Sequence, residues 1–357
     1  MNTLVSISPE GSSPDRNESL RAHRITSLPI VVISPHNQCN CRCVMCDIWK
    51  IREAQEMQIV DMERLLRSFN RLGVRWVVFT GGEPQLNARL FDFAGMLRSE
   101  GVRVTLLTAG LLLEDQAEEV ANHIDDLIVS LDGPATIHDR IRRVPRALDR
   151  LRAGIQAVQR LKTAITVRGR CTVQKTNYNA LRATVQTAKD IGLWSISFLA
   201  ADVTSAAFNH PQDWPASQRN QIALTLREVD ELEAEIEALI TFNEADLRSG
   251  FVVESVDKLR RIARHFRVCL GEVEAVSPPC NAPWHSTVID ASGNVRPCFF
   301  HQPLGNIHDQ SLPEVLNGPR ALQFRHDLNI AMNPVCRNCV CSLHYQPEGS
   351  RVVKSVL

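Results

Sequence analysis

Eleven cysteines in a chain of 357 residues are the side chains best suited to chemistry here, and they are unevenly spread. Four fall within 39–46 (Cys39, Cys41, Cys43, Cys46) and five within 280–341 (Cys280, Cys298, Cys336, Cys339, Cys341). Cys171 and Cys269 stand alone and read as packing residues. The opening stretch MNTLVSISPEGSSPDRNESLRAHR is polar and lacks the apolar centre of a signal peptide. A cytoplasmic setting is therefore expected, where thiols stay reduced and disulfides are rare. Clustered reduced thiols read as metal ligands or catalytic groups. Cys39, Cys43 and Cys46 are spaced C-x3-C-x2-C, and three thiolates can hold three irons of a [4Fe–4S] cube. The fourth iron is then open to an outside ligand. A zinc site completed by Cys41 or a distant residue is the alternative. Cys41, between the ligands, is expected to point away.

The elements that must position these thiols follow from periodicity. Strand-like runs occur at Ile30–Ser34, Arg75–Thr80, Val102–Thr108, Asp126–Leu131, Ile165–Val173 and Ser195–Leu199. Helical patterns fill the intervals at Gln58–Leu72, Ala88–Glu100, Glu114–Asn122, Arg146–Leu161 and Ala180–Ile191. Six alternations predict an α/β fold, a partial (β/α)6 barrel whose chemistry lies on loops after the C-terminal strand ends. The chain divides into a disordered tail (1–27), the barrel (28–214), a helical linker (215–276), a cysteine-rich domain (277–345) and a second tail (346–357). Within the linker, Ser217–Phe242 and Ser255–Phe266 read as amphipathic helices. Lys and Arg balance Asp and Glu at 40 each, which gives no electrostatic reason for a nucleic-acid partner. No apolar run reaches the length of a membrane span.

The triad's spacing after the first strand resembles the signature of the radical S-adenosylmethionine (SAM) superfamily. In that family SAM chelates the open iron, and one-electron reduction releases a 5′-deoxyadenosyl radical that takes hydrogen from substrate. Later strand ends carry similar motifs. Gly81, Gly82, Glu83 and Pro84 resemble the GGEP motif, which implies contact with the SAM amino group. Thr108 and Gly110 match a TNG motif, from which Ala109 departs. Ser130 and Asp132, in SLDGPATIHDRIR, resemble the SxDGP stretch of the subgroup with cysteine-rich extensions, which implies contact with ribose or substrate. Arg142 closes that stretch and is a candidate for the SAM carboxylate. On the fifth strand Arg168, Arg170 and Thr172 share one face, and Arg170 is expected to line the interior near SAM.

The C-terminal pattern Cys280-x12-Gly293-x4-Cys298, then Cys336-x2-Cys339, resembles the SPASM and twitch extensions of this superfamily. Gly293 falls in an expected hairpin turn. The pattern is too short for two clusters and is closer to the one-cluster twitch form, as in the dehydrogenase acting on 2-deoxy-scyllo-inosamine. The resemblance therefore implies an auxiliary [4Fe–4S] cluster on Cys280, Cys298, Cys336 and Cys339, with a zinc ribbon as the alternative. Cys341 is left to replace a ligand, donate a hydrogen atom or pack. The implied partners are a small-molecule substrate (a sugar, aminocyclitol or sugar nucleoside) and an electron donor such as flavodoxin or ferredoxin. No separate N-terminal domain for a leader peptide is expected. Maturation of a ribosomally made peptide is the second reading. Substrate contacts are expected at the Trp194–Leu199 strand end and the 201–215 loop.

Overall fold

The computed structural model describes residues 22–161, 165–211, 214–341 and 343–345. The 346–357 tail and most of the 1–27 tail lie outside them. Six strands pair in parallel and in chain order: β1 (Ile30–Ile33), β2 (Trp76–Phe79), β3 (Arg103–Thr108), β4 (Asp126–Ser130), β5 (Thr166–Val173) and β6 (Ser195–Ala200). Between them run α1 (Ile59–Leu72), α2 (Leu90–Ser99), α3 (Ala117–His123), α4 (Ala135–Arg142), α5 (Ala147–Arg160) and α6 (Leu181–Asp190). This is the partial (β/α)6 barrel. All four residues of β1 are β-branched and buried, as suits a central parallel strand covered on both faces. On β5 the burial alternates strictly, with Val167, Cys171 and Val173 on the buried side and Arg168, Arg170 and Thr172 on the other.

Local signals explain the helix boundaries. Gln58 and Asp61 cap α1 reciprocally, Met62, Leu65, Phe69 and Leu72 form its buried stripe, and Gly73 ends it in the left-handed region at φ +63°. Helix α4 was not visible as periodicity, because it is only eight residues long and largely polar. The single helix expected over Ser217–Phe242 is instead a short turn, Ala216–Arg219, followed by α7 (Leu226–Phe242). Thr225 and Glu228 form a capping box at that break and start α7. Helix α8 (Val256–Cys269) follows, capped by Ser255.

The C-terminal region joins the same sheet. Strand β7 (Ser286–Ile289) runs parallel to β1, with Ile30 opposite Ser286. Strands β8 (Asn294–Arg296) and β9 (Gly305–Asn306) extend the edge antiparallel, giving nine strands in the order β6-β5-β4-β3-β2-β1-β7-β8-β9. Gly293 turns the β7–β8 hairpin at φ +80°, where a Cβ would come within 2.8 Å of Asn306 Oδ1. The end of the expected N-terminal tail is corrected: Ile25 is buried in the main core and exchanges hydrogen bonds with Asn317 (2.7 and 2.9 Å). Arg325, also buried, donates to His23 O at 2.7 Å. Among the described residues no helix is long and apolar enough to cross a membrane.

Candidate active site

The loop leaving β1 carries the first cysteine group, and main-chain hydrogen bonds fix it from three sides. Glu83 N–H, beyond β2, donates to Gln38 O at 2.8 Å. Gly82 packs so closely there that a Cβ would lie 2.0 Å from Gln38 O, so no larger residue fits without moving the loop. At the end of α4, the carbonyls of Ile141 and Arg142 accept from Val44 and Arg42 N–H, each at 3.0 Å. From the 202–214 side, Phe208 O accepts from Asp47 N–H at 3.0 Å, and His210 Nε2 lies 3.2 Å from Met45 O.

Two buried carboxylates lock these supports together. Glu83 is fully buried; Ala109 N–H (2.9 Å) and Gln85 N–H (3.3 Å) donate to it, and Thr108 Oγ1 lies 2.8 Å away. Burial raises its pKa, against which the Ala109 N–H, the Thr108 hydroxyl and the Gln85 N–H act. Its observed task is to bolt the end of β2 to the end of β3. The bond from Ala109 is made by the backbone, so the departure from TNG leaves this clamp intact. Pro84 starts a buried single turn behind it.

Asp132, expected to reach ribose or substrate, has both oxygens engaged by protein and no exposed surface. Oδ2 accepts from Arg142 Nε (2.7 Å) and Nη2 (2.6 Å), and Oδ1 from Thr172 N–H (3.1 Å). The carboxylate thus aims Arg142, whose Nη1 lies 3.5 Å from Cys43 Sγ. His138, quoted within the motif but given no role there, accepts from Asp132 N–H through Nδ1 at 3.2 Å. Burial first, then Arg142, pushes its pKa down to about 4. Asn177, missed by sequence reasoning, is buried and donates to the Asp132 and Thr172 carbonyls at 3.0 and 3.1 Å. Ser130 ends β4 opposite Arg170 of β5.

Cys41 is buried, and its N–H donates to Cys39 Sγ at 3.4 Å. The neighbouring Cys39 and Cys43 thiols, with burial, raise its pKa. The Cys41 thiol, with Arg142 assisting, lowers Cys43 to about 7, toward the thiolate that metals bind. Cys39 and Cys46 are half-buried.

Cys280, Cys298, Cys336, Cys339 and Cys341 all line one partly open cavity beside β7. Burial holds all five thiols above their usual range, Cys298 at about 12 and Cys336 at about 11. Ligation to iron relieves that penalty, because a bound thiol is deprotonated outright. Among the described residues no three His, Cys, Asp or Glu side chains are drawn together around one ion. The five thiols share the lining of that one space. His301 Nε2 lies 3.5 Å from Cys336 Sγ. Burial raises Cys341, while the charges of Arg170, Lys258 and Arg261 pull the other way. Arg170 donates from Nε to Ser197 Oγ at 3.1 Å and feels the charges of Glu254 and Cys341.

Comparison with known proteins agrees with this architecture. Residues 33–197 match the radical SAM superfamily, and residues 280–340 match SPASM, an iron–sulfur cluster-binding domain. A Methanopyrus kandleri protein named as a probable GTP 3′,8-cyclase is 32% identical over 63% of this chain and 72% of its own length. An AdoMet-dependent heme synthase of Methanosarcina barkeri is 30% identical over 43% of this chain, which spans 45% of that relative's length. The fold also matches Streptococcus suis SuiB bound to the precursor peptide SuiA, with TM-score 0.65 and 18% identity, over 96% of this chain and 79% of that one. The cofactors of this architecture are SAM with a [4Fe–4S] cluster and, in the C-terminal domain, auxiliary iron–sulfur chemistry. The chain belongs to the radical SAM superfamily of enzymes and carries a C-terminal SPASM-type domain.

Proposed function

We propose that this chain reductively cleaves SAM and removes a hydrogen atom from a small-molecule substrate. One observation carries the reading: the cysteine loop is hydrogen-bonded to Glu83 after β2 and to the α4 end that presents Arg142, with Arg142 against Cys43. Cys39, Cys43 and Cys46 would hold the SAM-binding cluster, and Cys280, Cys298, Cys336 and Cys339 the auxiliary one. Bound there, the cluster and SAM supply a 5′-deoxyadenosyl radical. The chain's own residues position and shield: Glu83 and Gly82 seat the loop, Asp132 orients Arg142, and Phe208, Asn209 and His210 hold the backbone of Asp47 and Met45. A reducing cytoplasmic setting and a one-electron donor such as flavodoxin or ferredoxin belong to the same reading, and all eleven thiols are free.

The names of the heme synthase and GTP cyclase relatives support a small substrate. The fold likeness to a peptide-bound protein favours the second reading, modification of a ribosomally made peptide. Dehydrogenation, epimerisation and decarboxylation all begin with the same hydrogen abstraction. Epimerisation requires a protein hydrogen donor, and Cys341 is the candidate, since it lines the auxiliary cavity near the charge of Arg170. Electron paramagnetic resonance tests the cofactor assignment. Reduced wild-type protein should give a [4Fe–4S]⁺ signal that changes when SAM is added. Cys43→Ala should remove the SAM-dependent change while leaving the auxiliary signal. A SAM response that survives in Cys43→Ala contradicts the assignment.

A further inference from the structure

Beyond the cysteine sites, the described residues hold a concentration of positive charge at the open edge of the barrel. A shallow, solvent-open cleft lies between the C-terminal end of β6 (Phe198–Ala200), helix α8 and residues 337–340. Lys258, Arg261, Arg264 and Arg337 all line it. Two acidic groups stand near them. Glu254 is buried, accepts from Phe198 N–H at 2.8 Å and lies 3.5 Å from Lys258 Nζ. Glu274 is almost fully exposed and 3.9 Å from Arg337.

The four cations are not equivalent. Arg264 donates to Glu274 O, and Arg337 donates to Ala275 O, so backbone carbonyls hold both in place. Arg261 has no carboxylate within ion-pair distance among the described residues; it lines the cleft together with Cys339, and the charges of Cys339 and Cys341 act on it. Helix-dipole compensation does not account for Lys258 or Arg261. A cation is favoured at a helix C-terminus, yet Lys258 is in the first turn of α8 and Arg261 only one turn later. A half-buried guanidinium with no carboxylate partner carries a desolvation cost, which an anion from outside would offset.

We propose that this cleft binds an anionic group of the substrate, a phosphate or a carboxylate, with Arg261 as the forked contact and Lys258 as the adjacent point charge. The proposal rests on the reading of the chain as a SAM-cleaving enzyme with a small substrate, and it narrows that substrate to acidic molecules. The location fits. The cleft opens at the C-terminal end of the edge strand, where parallel barrels carry their chemistry, and it reaches Cys339 of the auxiliary group. Arg170, on the neighbouring strand, feels the charge of the same Cys341.

Calorimetry on the reconstituted full-length protein, without SAM or reductant, tests this with two probes, pyrophosphate and citrate. At least one should bind saturably with an affinity that falls as salt is raised. Pyrophosphate binding alone would identify a phosphate group, citrate alone a carboxylate. Arg261→Gln should weaken the binding about tenfold or more. Arg261→Lys, which keeps the charge, should retain part of it, and Arg260→Gln, a residue paired with Glu237 that does not line the cleft, should leave it unchanged. The proposal is overturned if neither anion saturates below about 10 mM, or if Arg261→Gln binds like the wild type. It is also overturned if that variant shifts only the midpoint potential of the auxiliary cluster. Formation of 5′-deoxyadenosine, assayed separately on the wild type, reports on the earlier reading alone, so the two can fail independently.

Discussion

The two cysteine groups are held by opposite means. The first sits on a loop clamped by main-chain hydrogen bonds to Glu83, Ile141, Arg142 and Phe208, with buried carboxylates behind it. The second rings a cavity of half-buried residues beside a small apolar patch of Ile30, Val78, Ala282, Leu343 and Tyr345. A loop clamped this way stays shaped when its metal leaves. The cysteine-bearing turns around 298–301 and 334–341 lie at the margin of the main core and depend on the metal for their order. The difference matches the two tasks: a cluster with an open iron needs a fixed frame for an incoming ligand, whereas a closed cluster can itself be the frame.

Removing iron tests that contrast with the largest expected effect. Chelation under anaerobic conditions should abolish hydrogen-exchange protection in the cysteine-bearing turns around 298–301 and 334–341 while the amides of β2, β3 and β4 stay protected. Equal loss in both regions would break the comparison.

Next in size, Asp132→Ala leaves Arg142 buried without its partner. Removing one member of a buried pair costs about 3–5 kcal/mol. Urea titration should show a loss of that order, together with a weakened SAM response of the first cluster and an unchanged auxiliary signal. A loss below about 1 kcal/mol would mean that the pair does not organise the loop.

The smallest of these effects concerns pH. His138 is held neutral in the fold, its pKa pushed down to about 4, against about 6.5 in an unfolded chain. As pH falls, the unfolded chain takes up this proton first. The contribution is therefore complete above pH ~6.5 and declines toward pH ~4. Between pH ~6.5 and ~5 it amounts to about 2 kcal/mol. His138→Asn, which can still accept from Asp132 N–H, should flatten the stability profile in that window. An unchanged slope would contradict the buried, neutral imidazole.

Much of this was legible in the sequence for a definite reason. The β-branched runs and intervening 3.6-residue periods located all six barrel strands to within a residue or two, because parallel strands covered on both faces must be apolar. Cys39, Cys43, Cys46 and the motifs after β2, β3 and β4 stood out by spacing. What spacing does not encode is the partner. Glu83 and Asp132 were marked as important, yet their bonds to Ala109 N–H and Thr172 N–H arise only when separate strand ends meet. The burial of Cys41 beside the other thiols was hidden for the same reason. So was the pairing of β7 with β1, two segments with no local signal between them.

The central claim is tested most directly by mixing anaerobically reconstituted, dithionite-reduced protein with SAM and quantifying 5′-deoxyadenosine and methionine. The account predicts that both form in equal amounts and that Cys43→Ala forms neither. Iron-loaded wild-type protein that leaves SAM intact, or a Cys43→Ala variant that cleaves it as well as the wild type, would contradict it.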